Sequence, residues 1–238
     1  MNYLHWVKMP SQWIANGFLK DCFSGNSKIG EDIAALKVYI ALVYSARQVP
    51  DPLVHSRKIF EVKLTYDEMT ELCSLSRLLV SKGLKKLEKS KLITSRGKRS
   101  KVYTLVGIAN SGWCKLPMRK IIGEDMSIPF MKALSNRMLH ERDALKIYLY
   151  LLSIRSNNSS FIEVSRGTIS KKTGVKVPLL EGAIGFLSNI SLLSNVEHVG
   201  TLMNSGVYDT HTVLVDRYFP MGSEYLPTKK SNLIVDRS

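Results

Sequence analysis

Apolar residues recur along this chain with two periods, and the switches between them mark out its elements. Trp6-Val7-Lys8-Met9-Pro10 alternates as a short strand does, whereas Ala35-Leu36-Lys37-Val38-Tyr39-Ile40-Ala41-Leu42-Val43 is apolar almost all round, the pattern of a buried helix. Arg47-Gln48-Val49-Pro50-Asp51-Pro52 ends that helix, since proline removes a ladder donor and pushes the residue before it out of helical backbone. Ile59-Phe60-Glu61-Val62-Lys63-Leu64 then alternates as a brief strand. Thr65 ahead of Tyr66-Asp67-Glu68 sets up a capping box, the threonine oxygen taking an amide of the first turn while Glu68 reaches back to the cap amide. A short helix to Cys73, the turn Ser74-Leu75-Ser76 and a longer helix to about Ser90 follow. On the longer helix Val80, Leu84 and Leu87 form one apolar stripe, and Lys82, Lys85, Lys86 and Lys89 gather on the other side. Lys91-Leu92-Ile93-Thr94 and Lys101-Val102-Tyr103-Thr104-Leu105-Val106 read as two strands joined by a tip over 95–100.

The succession then repeats. Trp113-Cys114-Lys115-Leu116-Pro117 copies the first strand, and Ala144-Leu145-Lys146-Ile147-Tyr148-Leu149-Tyr150-Leu151-Leu152 copies the buried helix in register. Leu75 matches Val175, Leu84 matches Ile184, Leu87 matches Leu187, and Leu92-Ile93 matches Leu192-Leu193. In the second copy 157–160 closes the buried helix, Phe161-Ile162-Glu163-Val164 is the brief strand, and the helix pair runs from Ser165 to about Asn189. Its hairpin is longer, taking in 200–206, with a return strand at 211–215. Each unit is a helix-turn-helix followed by a β-wing. The pattern therefore predicts an α+β, mostly helical chain of two tandem winged-helix domains from an internal duplication. Residues 1–107 form the first domain, 108–220 the second, and 221–238, rich in polar residues, a loosely held tail.

Charge changes the picture most. The 238 residues carry a formal net charge of +14, which suits nucleic acid or an anionic membrane surface without choosing between them. Its placement chooses. Between Ser76 and Lys101 there are ten Lys or Arg residues and one acid, Glu88, so the first helix and wing expect a polyanion. A helix in the major groove sets polar residues of its N-terminal and central turns at base edges and its flanking cations at phosphates. That places Arg77, Ser81 and Lys82 near the bases, and Lys85, Lys86 and Lys89 at base edges or backbone. On the wing, Arg96, Lys98 and Arg99 suit the negative potential of a narrow minor groove, with Lys101 at its base. Double-stranded DNA is the expected partner.

The aligned face of the second long helix has lost its cations: Gly182, Gly185, Phe186 and Asn189 stand where Lys82, Lys85, Lys86 and Lys89 stand in the first. From Lys176 to His211 there is one cation against three acids, so this face suits protein contact, with Gly182, Gly185 and Phe186 as its centre and a homodimer as one outcome. Packing of the same face within the chain is the alternative. Arg166, Lys171, Lys172 and Lys176, earlier in the second unit, remain for the DNA backbone.

No glycine-rich phosphate loop, His-x-His pair or nucleophile elbow is present, so neither catalysis nor a cofactor is expected. Asp67, Glu68 and Glu71 sit where a helix start wants acids, and Tyr39 and Tyr148 fall on the buried helices. Cys22, Cys73 and Cys114 lack disulfide or zinc spacing and read as small apolar residues. No apolar run nears the roughly 20 residues of a membrane span, and the first residues lack a signal-peptide pattern, so a cytoplasmic protein without membrane contact is expected.

Trp-x-Lys-(Met or Leu)-Pro, then Ala-Leu-Lys-(Val or Ile)-Tyr, then a helix-turn-helix, resembles the bacterial winged-helix domains of plasmid and phage replication proteins. Tandem copies in a chain of this length resemble plasmid replication initiators, and the resemblance spans nearly the whole chain at the level of architecture. It implies binding to repeated DNA sites, a dimerisation role for one unit and replication proteins as partners. Proteins of this shape also serve as transcriptional repressors and mobile-element regulators. A helicase loader or an RNA binder is the remaining alternative, although an RNA binder would usually display aromatics on a sheet.

Overall fold

A computed structural model of the chain describes residues 5–24, 28–54, 58–97, 100–107, 112–123, 125, 127–204 and 210–225, with the backbone alone for 200–204 and 210–214. The first half runs β1 (Trp6–Pro10), α1 (Gln12–Ala15), α2 (Phe18–Cys22), α3 (Ile29–Ser45), β2 (Arg47–Pro50), β3 (Lys58–Val62), α4 (Tyr66–Cys73), α5 (Arg77–Lys89), β4 (Ile93–Arg96) and β5 (Val102–Leu105). The second runs β6 (Trp113–Pro117), α6 (Pro129–Ala133), α7 (Leu139–Ile154), β7 (Ile162–Val164), α8 (Arg166–Thr173), α9 (Val177–Asn189), β8 (Leu193–Asn204) and β9 (Thr210–Pro220). The chain is a mixed α+β protein.

Local chemistry sets the helix limits. Thr65 Oγ1 accepts the Glu68 amide at 3.2 Å and the Glu68 carboxylate accepts the Thr65 amide at 2.6 Å, which completes the expected capping box. These hydrogen bonds hold the Glu68 carboxyl below the usual range. Ser76 and Ser165 cap α5 and α8 in the same way, accepting the amides of Leu79 and Thr168. Both helix-to-helix turns pass through left-handed backbone, at Ser74 (φ 47°) and Gly174 (φ 71°). Both exits from the long helices do so as well, at Lys91 (φ 55°) and Ser191 (φ 58°). The aligned apolar positions are buried in both halves, Leu84 with Ile184 and Leu87 with Leu187 among them.

Among the described residues the strands pair antiparallel in three sheets, ordered β1-β6, β2-β3-β5-β4 and β7-β9-β8. Several features differ from the sequence pattern. Ser95 and Arg96, expected in the hairpin tip, belong to β4, and the return strand expected at 211–215 runs from Thr210 to Pro220 as β9. The segment expected only to end α3 continues as β2, and it lies at a sheet edge, where the missing amide of Pro50 costs no ladder bond. The two Trp-x-Lys-x-Pro copies, expected one to a unit, pair with each other, Trp6 opposite Pro117 and Lys8 opposite Lys115. Like charges directly opposite repel across a ladder. Here each ammonium lies over the indole of the other strand, Lys8 Nζ at 4.6 Å from the Trp113 centroid and Lys115 Nζ at 4.9 Å from that of Trp6. The indoles stack at 6.0 Å, and each cation–π contact is worth roughly 0.5–2 kcal/mol.

The seam between the halves continues inward along α3 and α7, and one continuous apolar cluster contains residues from both sides of position 107. The lysines of the repeated Ala-Leu-Lys motif are buried there and reach across. Lys37 Nζ donates to Met131 O and Asn136 Oδ1, both at 2.8 Å, and Lys146 Nζ donates to Phe23 O at 3.0 Å. Burial pushes both ammonium groups down to about 8. Tyr44 OH also crosses, donating to Pro117 O at 2.7 Å. Cys73 and Cys114 are free and buried, with burial pushing their thiols up to about 12. Of the expected tail, 221–225 is held against the body: Met221 N donates to Leu192 O at 2.9 Å and Ser223 is buried. The remainder, 226–238, lies outside the described residues. Among the described residues no helix is long and apolar enough to cross a membrane.

Candidate nucleic-acid interface

Helix α5 packs Val80, Gly83, Leu84 and Leu87 against α3, so its opposite side faces outward. Gly83 makes that approach close, because a Cβ there would stand 3.0 Å from the Ala34 backbone. Lys85 and Lys89 are exposed on the outward face, and Ser81 is half-buried beside them.

The other cations of α5 are held by carboxylates of the same chain. Lys82 Nζ lies 3.0 Å from Glu31 Oε1, a hydrogen bond that lowers the pKa of the glutamate. Lys86 pairs with the fully buried Asp32 and sits over the Phe23 ring, 5.2 Å from its centroid. Arg77 pairs with Asp67 at 2.9 Å, both side chains remaining exposed. Two of these acids, Glu31 and Asp32, open α3. Sequence reasoning missed them because they neighbour α5 only once α3 has docked. The one signal in the sequence is the Glu31-Asp32 pair standing directly ahead of the apolar run that starts at Ile33, in the first turn of α3.

Asp32 also lies 3.6 Å from Arg142 Nη1, and Arg142 Nε donates to Asp143 at 3.1 Å. Lys86, Asp32, Arg142 and Asp143 thus form a chain of alternating charge from α5 through α3 to α7. Lys86 belongs to this internal network rather than to the outward face.

On the β4–β5 hairpin, Arg96 reaches across β5 and donates to both carboxylate oxygens of Glu61, at 2.8 and 3.0 Å. Ser95 Oγ donates to Glu88 at 2.5 Å, so the single acid of the basic segment ties α5 to β4. Lys101 is exposed; Lys98 and Arg99 lie outside the described residues.

In the second half Lys171, Lys172 and Lys176 are exposed, while Arg166 donates to Asp216 at 2.8 Å. Burial raises the Asp216 carboxyl, but hydrogen bonds from Arg166, His198 and Tyr218 outweigh it and hold it below the usual range. On α9, Gly182 and Gly185 are exposed, with open space where a Cβ would stand. Phe186 is half-buried and meets His140 of α7 edge-on, ring centroids 4.9 Å apart. An aromatic contact occupies the place that the Lys–acid pairs hold between α5 and α3.

No protein-family model and no curated protein matches this chain. Among solved structures, the Pi initiator protein in complex with iteron DNA superposes with a TM-score of 0.43 at 9% identity, over 92% of this chain and 99% of that one. At those values the likeness fixes neither fold nor activity.

Proposed function

We propose that this chain is a sequence-specific double-stranded DNA-binding protein built from two tandem winged-helix units, the first of which makes the principal contact. The observation that carries this is the outward face of α5, where Lys85 and Lys89 stand exposed on a helix presented by its cap and packed on its opposite side. Lys101 extends the positive surface along the wing, and Arg77, Lys82 and Arg96 remain within reach of a groove once DNA competes with Asp67, Glu31 and Glu61. Ion pairs open to water are weak because solvent screens them, so a phosphate or a guanine edge can displace them. Lys171, Lys172 and Lys176 supply weaker backbone contacts.

The sequence resemblance assigns this binding to replication initiation on a plasmid or mobile element, with transcriptional repression as the alternative. Repeated target sites beside the gene favour the first, and a single operator overlapping its promoter favours the second. The face of α9 with Gly182, Gly185 and Phe186 is proposed as a contact for a second copy, because copies carrying +14 each approach best where lysines are absent.

Titration of duplex binding against salt tests the main reading. Each neutralised phosphate contributes a log-log slope of about −0.9, so a protein making about six contacts loses on the order of a thousandfold in affinity between 50 and 200 mM salt. Replacing Lys85 and Lys89 together with alanine should make that slope shallower by about 2. Salt-independent binding, or a slope unchanged in the variant, overturns the assignment.

A further inference from the structure

We infer that Leu78 is a specificity-determining residue that reads the C5-methyl group of a thymine; the inference rests on the DNA-binding reading of α5 given above. Every other side chain of this helix has a place except a short row. Val80, Leu84 and Leu87 are buried, and Leu79 packs partly buried against the core. Arg77, Lys82 and Lys86 pair with Asp67, Glu31 and Asp32, and Glu88 bonds Ser95. Among the described residues this leaves Leu78, Ser81, Lys85 and Lys89, whose spacing of three, four and four puts them on one line of the helix.

Leu78 is 64% exposed and stands second in the helix, at the end that in a helix-turn-helix meets base edges. It is the single apolar member of the row. The major-groove edges of the four base pairs present donors, acceptors and one apolar group, the thymine methyl. A hydroxyl and two ammonium groups beside Leu78 suit acceptors on neighbouring pairs or phosphates. The aligned position of α9 is Pro178, so the second unit does not repeat the arrangement.

The test begins with selection of bound duplexes from random DNA using the full chain. In the selected duplex each thymine is replaced singly by deoxyuridine, which removes the methyl and leaves pairing intact, and affinity is read by fluorescence anisotropy. At one or two positions the wild-type protein should lose about fourfold, the worth of one buried methyl group. Leu78→Ala, a change at an exposed site that leaves the circular dichroism spectrum unchanged, should bind the thymine and uracil duplexes equally at those positions. A selected sequence indifferent to every uracil substitution, or a variant that keeps the full uracil penalty, overturns the role of Leu78 alone. Failure to bind or enrich any duplex overturns the DNA-binding reading, and this inference with it.

Discussion

Replacing Lys37 with methionine isolates what a buried cation does at the seam. Lys37 is fully buried, and its ammonium falls from an ordinary 10.5 to about 8 because burial penalises the charged form, while its hydrogen bonds to Met131 O and Asn136 Oδ1 survive loss of the proton. The sign follows from proton counting. Between pH 8 and 10.5 the unfolded chain keeps the Lys37 proton and the folded chain sheds it, so stability rises with pH across that window. Below about pH 8 both states are protonated and the full cost of the buried charge is felt. Each tenfold change in proton affinity is worth about 1.4 kcal/mol, so the wild-type protein should gain about 3 kcal/mol relative to Lys37→Met from pH 7.5 to 10.5. At any one pH the substitution mixes relief of the charge with loss of two hydrogen bonds, but the difference in slope reports the proton alone. Urea unfolding midpoints and m-values at half-unit pH steps supply that difference. Parallel curves for wild type and variant, with a constant offset, would refute a desolvated Lys37.

Two further expectations follow from the charge pattern. Asp32→Ala strips a buried carboxylate from Lys86 and Arg142 and should cost about 3 kcal/mol in urea unfolding, whereas Lys86→Met, which leaves Asp32 beside Arg142, should cost clearly less; equal and small effects would show that the network contributes little. Gly182→Arg with Gly185→Arg enters open space, so the fold should persist while the concentration-dependent dimer expected of the wild type in sedimentation velocity disappears; a wild-type chain that stays monomeric on raising its concentration rules out the second-copy contact.

What the sequence alone decided is what neighbouring residues decide. The capping box at Thr65, the serine caps of α5 and α8, the apolar stripe of Val80, Leu84 and Leu87, and the matched burial of both long helices depend on contacts a few residues apart or on one helical face, so periodicity and cap chemistry reach them. What only the tertiary structure decided is who meets whom across long stretches of chain. The two Trp-x-Lys-x-Pro strands are alike, and nothing local says that they pair with each other rather than within their own halves. The lysines of α5 look equivalent on a helical wheel, yet docking of α3 brings Glu31 and Asp32 to two of them and leaves Lys85 and Lys89 outward. Lys37 and Lys146 sit in apolar runs where a lone cation looks misplaced, and their acceptors lie in the opposite half, joined to them only when the seam closes. Hydrogen bonds and ion pairs act over a few ångströms of space, whereas sequence patterns resolve only neighbours along the chain, and that mismatch separates the legible part of this protein from the rest.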